Sequence, residues 1–167
     1  VVTHCPHCLH TIGKEYGKFD SGNFKTIHHS ELLAQLIQNG QLKPKNPINS
    51  RMTFHDPCYL GRHHGDYSSP RQILEAIPGI SIKEMDKTKD RSKCCGMGGG
   101  NMWYELPEGE NLAIERLKDV SSVRPEQLAT ACSYCMINFN SSKSTVEGTK
   151  EVEINDVASI LAKSVLD

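Results

Sequence analysis

The chain has 167 residues, with 37% hydrophobic and 23% charged, a balance that excludes the low hydrophobicity and high net charge of a disordered chain. Nineteen basic and twenty acidic side chains leave a formal net charge of −1, so no large positive field exists to hold nucleic acid. No apolar run reaches the roughly 18–20 residues a membrane span requires, so membrane association would come only through segments outside this sequence.

Val1-Val2-Thr3 reads as a short strand meeting Cys5-Pro6-His7-Cys8, after which Leu9, Ile12 and Tyr16 recur at helical spacing. With no initiator methionine, this opening is expected to belong to a fragment of a longer chain. Phe24 to Ile27 alternates like a strand, and Ser30 offers an N-cap for a helix bearing Leu32, Leu33, Leu36 and Ile37, closed by Asn39-Gly40. Gln41 to Ser50, with Pro44 and Pro47, is the expected linker. Arg51 to His55 begins a new strand. Ser69-Pro70 supplies a cap and first-turn proline for a helix with Ile73, Leu74 and Ile77, stopped by Pro78-Gly79. Ile80 to Ile82 is a further strand. A charged stretch then leads to Cys94-Cys95-Gly96-Met97-Gly98-Gly99-Gly100, a loop that no regular element would choose. Leu112, Ala113, Arg116, Leu117 and Val120 mark an amphipathic helix. Gln127 to Ala131 is a strand running into Cys132-Ser133-Tyr134-Cys135, Val152 and Ile154 make the last strand, and Asp156 caps a final helix. Strands alternating with helices imply βαβ units, hence a three-layer α/β fold with a mainly parallel sheet and flanking helices.

An internal repeat organises these elements. The segment from Val1 to Leu9 aligns with Leu128 to Met136, Ile27 with Ile154, and, with one residue dropped, Leu32-Leu33-Ala34 with Ile160-Leu161-Ala162. Residues 1–45 therefore read as the C-terminal part of a first repeat and 46–167 as a complete second one.

Cysteine is the unusual component. Seven is an odd count, and no apolar signal segment precedes the first, so the expectation is thiols in a reducing compartment: cytoplasmic, or at the cytoplasmic face of a membrane. Five lie in the complete unit: Cys58, then Cys94 and Cys95 after 35 intervening residues, then Cys132 and Cys135 after 36 more. Each group follows a strand or sits in the glycine loop, and in parallel α/β sheets such strand ends gather where ligands are held. Zinc closes structural sites with four ligands, leaving one cysteine over, and adjacent cysteines chelate one small ion poorly. An iron–sulfur cluster, whose usual ligand is cysteine thiolate, suits five sulfurs better; zinc is the alternative. A CxxC at a helix N-terminus favours the thiolate, and the bare glycines allow backbone amides to approach sulfur.

The pattern Cys-x35-Cys-Cys-Gly-x35-Cys-x2-Cys resembles the cysteine-rich CCG domain of the B and D proteins of heterodisulfide reductase, of the iron–sulfur subunits of glycolate oxidase and anaerobic glycerol-3-phosphate dehydrogenase, and of lactate-utilisation proteins. His55-Asp56-Pro57-Cys58-Tyr59-Leu60-Gly61-Arg62, Tyr67 with Pro70-Arg71, and Arg91-Ser92-Lys93-Cys94-Cys95-Gly96 leading to Met102-Trp103 look most like membrane-associated iron–sulfur oxidoreductases that pass electrons from electron-transfer flavoprotein toward quinone. The resemblance implies a 4Fe-4S cluster of non-cubane type on Cys58, Cys94, Cys95, Cys132 and Cys135. It also makes Cys5 and Cys8 the closing pair of the truncated first repeat. The implied partners are other redox domains or subunits, namely ferredoxin-type clusters and a flavoprotein, with quinone or a disulfide as substrate.

Three functions are consistent with these residues: an electron-transfer domain of a larger oxidoreductase, a catalytic site at which the cluster reduces a disulfide, and a structural zinc module. His28-His29 and His63-His64 are expected to be solvated surface rather than metal ligands or proton carriers. Asp56 and His55 suit either outer support of Cys58 or a turn. Trp103 and Tyr104 are expected to pack against the glycine loop.

Overall fold

A computed structural model of the chain describes residues 1–104 and 111–166; positions 105–110 and 167 of the expected second unit lie outside the described residues. In chain order the regular elements are β1 (Val2–Thr3), α1 (Pro6–His10), β2 (Ile27–His28), α2 (His29–Gln38), β3 (Ser50–His55), α3 (Ser69–Ala76), β4 (Ile80–Ile82), α4 (Leu112–Val123), β5 (Gln127–Thr130), α5 (Ser133–Ser142), β6 (Glu153–Asp156) and α6 (Val157–Val165). Short π and 3-10 turns join them, among them Tyr59–His63 and Asn101–Trp103.

The expected three-layer α/β fold is present. Four strands form a parallel sheet in the order β4-β3-β5-β6, while β1 and β2 form a separate parallel pair. Because successive side chains on a strand face opposite sides, each strand of the large sheet feeds two cores. Met52, Phe54 and Ala129 pack with Ala34, Ile73, Leu74, Val157, Ile160 and Leu161 of α2, α3 and α6. Leu128 and Ile154 pack on the other face with Ala113, Leu117, Val120 and Phe139 of α4 and α5, and Cys95, Cys132 and Cys135 belong to this second core. Fully burying one such aliphatic or aromatic side chain is worth about 1.5–3 kcal/mol, which holds both helix layers on the sheet. His55, on the same side of β3 as Thr53 and opposite Met52 and Phe54, therefore faces the cysteine layer.

Several boundaries move relative to the sequence reading. The strand expected at Phe24–Ile27 is shorter and later, only Ile27–His28, and Phe24 is exposed. Ser30 does not cap α2; His28 holds the N-cap backbone, and the Ser30 hydroxyl lies 2.7 Å from His28 Nδ1. At α3 the capping acceptor is Asp66, whose Oδ1 receives the Ser68 and Ser69 amides. Asn111 and Asp156 cap α4 and α6 through their side chains, the latter as expected.

Val2 pairs with Ile27, and Ala129 pairs with Asn155, so the dropped residue falls between α1 and β2, and Ile27 matches Asn155 rather than Ile154. His28 and Asp156 then occupy equivalent N-cap positions, with backbone angles of −75°/146° and −74°/145°. The expectation of solvated histidines fails here: His28 and His29 are buried, and His29 Nε2 sits 3.0 Å from Asp156 Oδ1. Burial, followed by the neighbouring His29, pushes the His28 pKa down to about 4, so it is neutral at pH 7. His63 is exposed and His64 half-buried.

Candidate metal centre

The strand order creates the site. From β3 the chain crosses to the edge strand β4, then returns to lay β5 on the other side of β3. The carboxyl ends of β3 and β5 thus diverge at a topological switch point, where open α/β sheets hold their ligands. Cys58 follows β3 across the corner Asp56-Pro57, and Cys132 and Cys135 follow β5. Cys94 and Cys95 come from the long connection between β4 and α4.

All five sequence-designated cysteines are free thiols and near neighbours. Cys95, Cys132 and Cys135 are buried, Cys58 and Cys94 half-buried. Cys94 Sγ lies 3.9 Å from Cys58 Sγ. Cys94 also contacts Cys95, Cys95 contacts Cys135, and Cys135 contacts Cys132, so the five sulfurs form one continuous run. Hydrogen bonds from Cys58 and then Cys95 lower the Cys94 pKa, assisted by the Gly96 amide 3.3 Å away, so Cys94 favours the thiolate. The Cys135 contact likewise lowers Cys132, which is pulled down to about 5, while Cys58 and Cys135 are pushed up by the same pairings. Cys132 is the N-cap of α5 and Cys135 its third residue, placing both beside unpaired amides at the positive end of the helix. Among the described residues no three Cys, His, Asp or Glu side chains close around the position of one ion.

The backbone around the sulfurs is fixed by polar ties. Asp56, 2% exposed, receives a bidentate pair from Arg71 (Nη1 to Oδ1 2.6 Å, Nη2 to Oδ2 3.0 Å), the Thr88 hydroxyl at 3.0 Å and the Lys89 amide at 2.8 Å. Arg71 also reaches Glu84 Oε1 at 2.6 Å and lies 4.9 Å over the Phe54 ring. Ser92 Oγ donates to the Asp56 carbonyl, and Arg62 donates to the Ser92 carbonyl. These bonds tie the Cys58 corner to the segment that delivers Cys94. Asn138 of α5 donates to the Cys95 carbonyl at 2.7 Å, tying that loop to the helix carrying Cys135. Gly96 adopts φ 86°, and a Cβ there would meet Leu112 Cβ at 2.9 Å, so both backbone conformation and packing require glycine.

Cys5 and Cys8 stand next to this run rather than in it. His7, between them in sequence, contacts Cys132 and Cys5, and these contacts raise its pKa to about 9 against the opposing effect of burial. Its ring lies tilted 4.2 Å from Tyr59 and edge-on 5.5 Å from Tyr134. Trp103 borders the glycine run with His7 but is 79% exposed, and Tyr104 is 73% exposed, so neither packs into the loop as expected. Arg71, Arg116 and His7 are supporting residues that sequence reasoning missed as such. The signal for two of them is a lone arginine on an apolar helix face: Arg71 beside Ile73 and Leu74, and Arg116 beside Ala113, Leu117 and Val120.

A family model described as the cysteine-rich CCG domain matches residues 52–140, more than half of the chain. The chain belongs to the cysteine-rich CCG domain family. The matched range encloses Cys58, Cys94, Cys95, Cys132 and Cys135 and excludes Cys5 and Cys8. Among curated relatives, the chain is 38% identical over 166 residues to the "Probable iron-sulfur-binding oxidoreductase FadF" of Bacillus subtilis, covering 99% of this chain and 23% of that protein. It is 35% identical over 174 residues to the EtfAB:quinone oxidoreductase of Syntrophomonas wolfei (99% and 24%). It is 34% identical over 143 residues to one subunit of the dihydromethanophenazine:CoB--CoM heterodisulfide reductase of Methanosarcina barkeri (85% and 34%). The chain thus spans about a quarter to a third of the relatives it matches.

Proposed function

We propose that this CCG domain is the iron–sulfur-binding electron-transfer part of a larger oxidoreductase. In this reading Cys58, Cys94, Cys95, Cys132 and Cys135 hold a 4Fe-4S cluster of non-cubane type, residues 46–167 are a complete CCG repeat, and 1–45 close a preceding one. The observation that carries the reading is the continuous run of five free sulfurs at the sheet's switch point, with Cys94 and Cys132 biased toward thiolate. The donor set fits the group: thiolate is the preferred ligand of iron–sulfur clusters, and a chain of free sulfurs including a vicinal pair suits a body of several metal ions better than one tetrahedral ion. When bound, the cluster supplies one-electron redox chemistry. The protein's own residues orient the thiolates, offer the Gly96 amide to sulfur and bury three of the five ligands from water. Relatives named as EtfAB:quinone oxidoreductase and heterodisulfide reductase support a flavoprotein or ferredoxin-type donor and a quinone or disulfide acceptor. No helix among the described residues is long and apolar enough to cross a membrane, and any membrane attachment is assigned to segments outside this chain.

Electron transfer is favoured over disulfide catalysis by the size of the space beside the cysteine loop. Among the described residues, the cavities beside this loop hold about 180 Å³ (against His7, Gly98 and Trp103) and about 280 Å³ (against Gly96, Met97 and Asn138), both below the roughly 300–1,000 Å³ of small-molecule sites, and a cavity of about 770 Å³ beside Lys118 and Glu147 is lined by no cysteine. Protein reduced anaerobically and mixed with a one-electron acceptor should reoxidise without any change in the shape of its paramagnetic spectrum on adding a disulfide. A new spectrum on disulfide addition, with stoichiometric thiol release, would instead establish the catalytic reading.

A further inference from the structure

Arg116 is fully buried, an unusual setting for a guanidinium, and it lies in the layer that holds the cysteines. Its Nε donates to His55 Nδ1 at 3.3 Å, and its Nη1 donates to the Lys87 carbonyl at 2.7 Å and to Asp119 Oδ2 at 3.1 Å. Nη2 is buried with no acceptor. Because a guanidinium only donates, His55 Nδ1 must accept, and the network assigns the imidazole proton to Nε2. That Nε2–H is also buried without an acceptor. Burial and the adjacent Arg116 drive the His55 pKa down to about 3, so His55 remains a neutral donor. His55 closes β3 three residues before Cys58, and its ring meets Phe139 edge-on at 4.7 Å in the core that holds Cys95, Cys132 and Cys135.

The charges do not cancel locally. Asp119 is shared between Arg116 and Lys93, the latter at 2.8 Å and immediately preceding Cys94, so two cations face one partly exposed carboxylate. A buried cation with too few anionic partners is costly, and two orphaned donors add to that cost. Both shortages would be met by an anionic acceptor on the cysteine side of this layer.

We propose that Arg116, acting through His55, is a positioning residue that sets the reduction potential of the group held by the five cysteines. Arg116 fixes the His55 tautomer so that Nε2–H is available to sulfur, and its buried charge favours the state carrying one more electron. The step concerned is uptake of one electron from an external reductant, with no bond made or broken. This inference rests on the iron–sulfur reading above.

The test is an anaerobic potentiometric titration of the iron-loaded protein followed by electron paramagnetic resonance. Arg116→Met should weaken reduction about tenfold, a midpoint 59 mV lower for a one-electron couple. Arg116→Lys should restore most of it. Asp119→Asn removes the shared anion and should move the midpoint upward, the opposite direction. A purely structural role would change iron occupancy or thermal stability in Arg116→Met and leave the midpoint of the loaded fraction at the wild-type value. That result, or a midpoint in Asp119→Asn that is unchanged or lower, overturns the proposal. If Arg116→Met does not load, Asp119→Asn alone decides by the same criterion. Wild-type protein with no reducible iron–sulfur signal would defeat the underlying reading instead.

Discussion

Cys95→Ser is expected to lose at least half of its bound iron and to lose or change its paramagnetic spectrum, while its far-ultraviolet circular dichroism stays close to wild type. Cys95 is 3% exposed and touches both Cys94 and Cys135, so it joins the Cys58–Cys94 half of the sulfur run to the Cys132–Cys135 half. A serine hydroxyl is a poorer iron ligand than a thiolate, and in this apolar layer an unligated hydroxyl also costs about 1–3 kcal/mol. The circular dichroism separates loss of a ligand from loss of the fold. Iron content and spectrum identical to wild type would remove Cys95 from the ligand set and with it the five-cysteine site.

Arg71→Met is expected to destabilise the protein by about 3–5 kcal/mol at pH 7, because it leaves the Asp56 carboxylate buried without its cationic partner. For a domain of this size that corresponds to a Tm lower by roughly 6–20 °C. The pH dependence gives the mechanism. Burial works against ionisation of Asp56, but the Arg71 hydrogen bonds and charge, with the Lys89 amide and Thr88 hydroxyl, outweigh it and hold the carboxyl below its ordinary range. A depressed folded-state pKa contributes stability that is present above the unfolded value near 4 and is lost as pH falls through the folded value. Without Arg71, burial dominates and raises the same pKa, so the variant gains relative to wild type as Asp56 protonates. The difference in thermal stability should therefore be largest near neutral pH and shrink as pH falls first through the raised value in the variant and then through the depressed value in wild type. A difference independent of pH would mean that Arg71 acts by packing on Phe54 rather than by charge.

The gathering of the cysteines was legible because its signals are local. Cys132-x-x-Cys135 marks a helix start wherever it follows a strand, and the glycine run after Cys95 excludes regular structure. Convergence of the three groups also follows from chain order, since alternating strands and helices force a parallel sheet whose carboxyl ends lie together. What sequence did not disclose are pairings between residues that carry no local partner signal. Asp56 and Arg71 are fifteen positions apart, and Arg116 and His55 sixty-one. Both arginines sit at apolar positions of their helices, where a charge is a reason to look for a buried acceptor. The alternation at Phe24 does not fix a register, and the ladder forms at Ile27 and His28, where Val2 and Thr3 lie opposite. His28 read as solvated because neighbouring histidines usually are; its burial goes with the packing of α2 against α3 and α6, where His29 meets Asp156 from 127 residues away. The caps expected at Ser30 and Ser69 lie two and three positions past the groups that hold those helix starts, the His28 backbone and the Asp66 carboxylate.

Metal and sulfide analysis of the anaerobically purified protein tests the central claim most directly. A cluster on five cysteines is expected to give brown protein with about four irons and a comparable amount of acid-labile sulfide for each copy of the site. Colourless protein containing one zinc and no sulfide would contradict it.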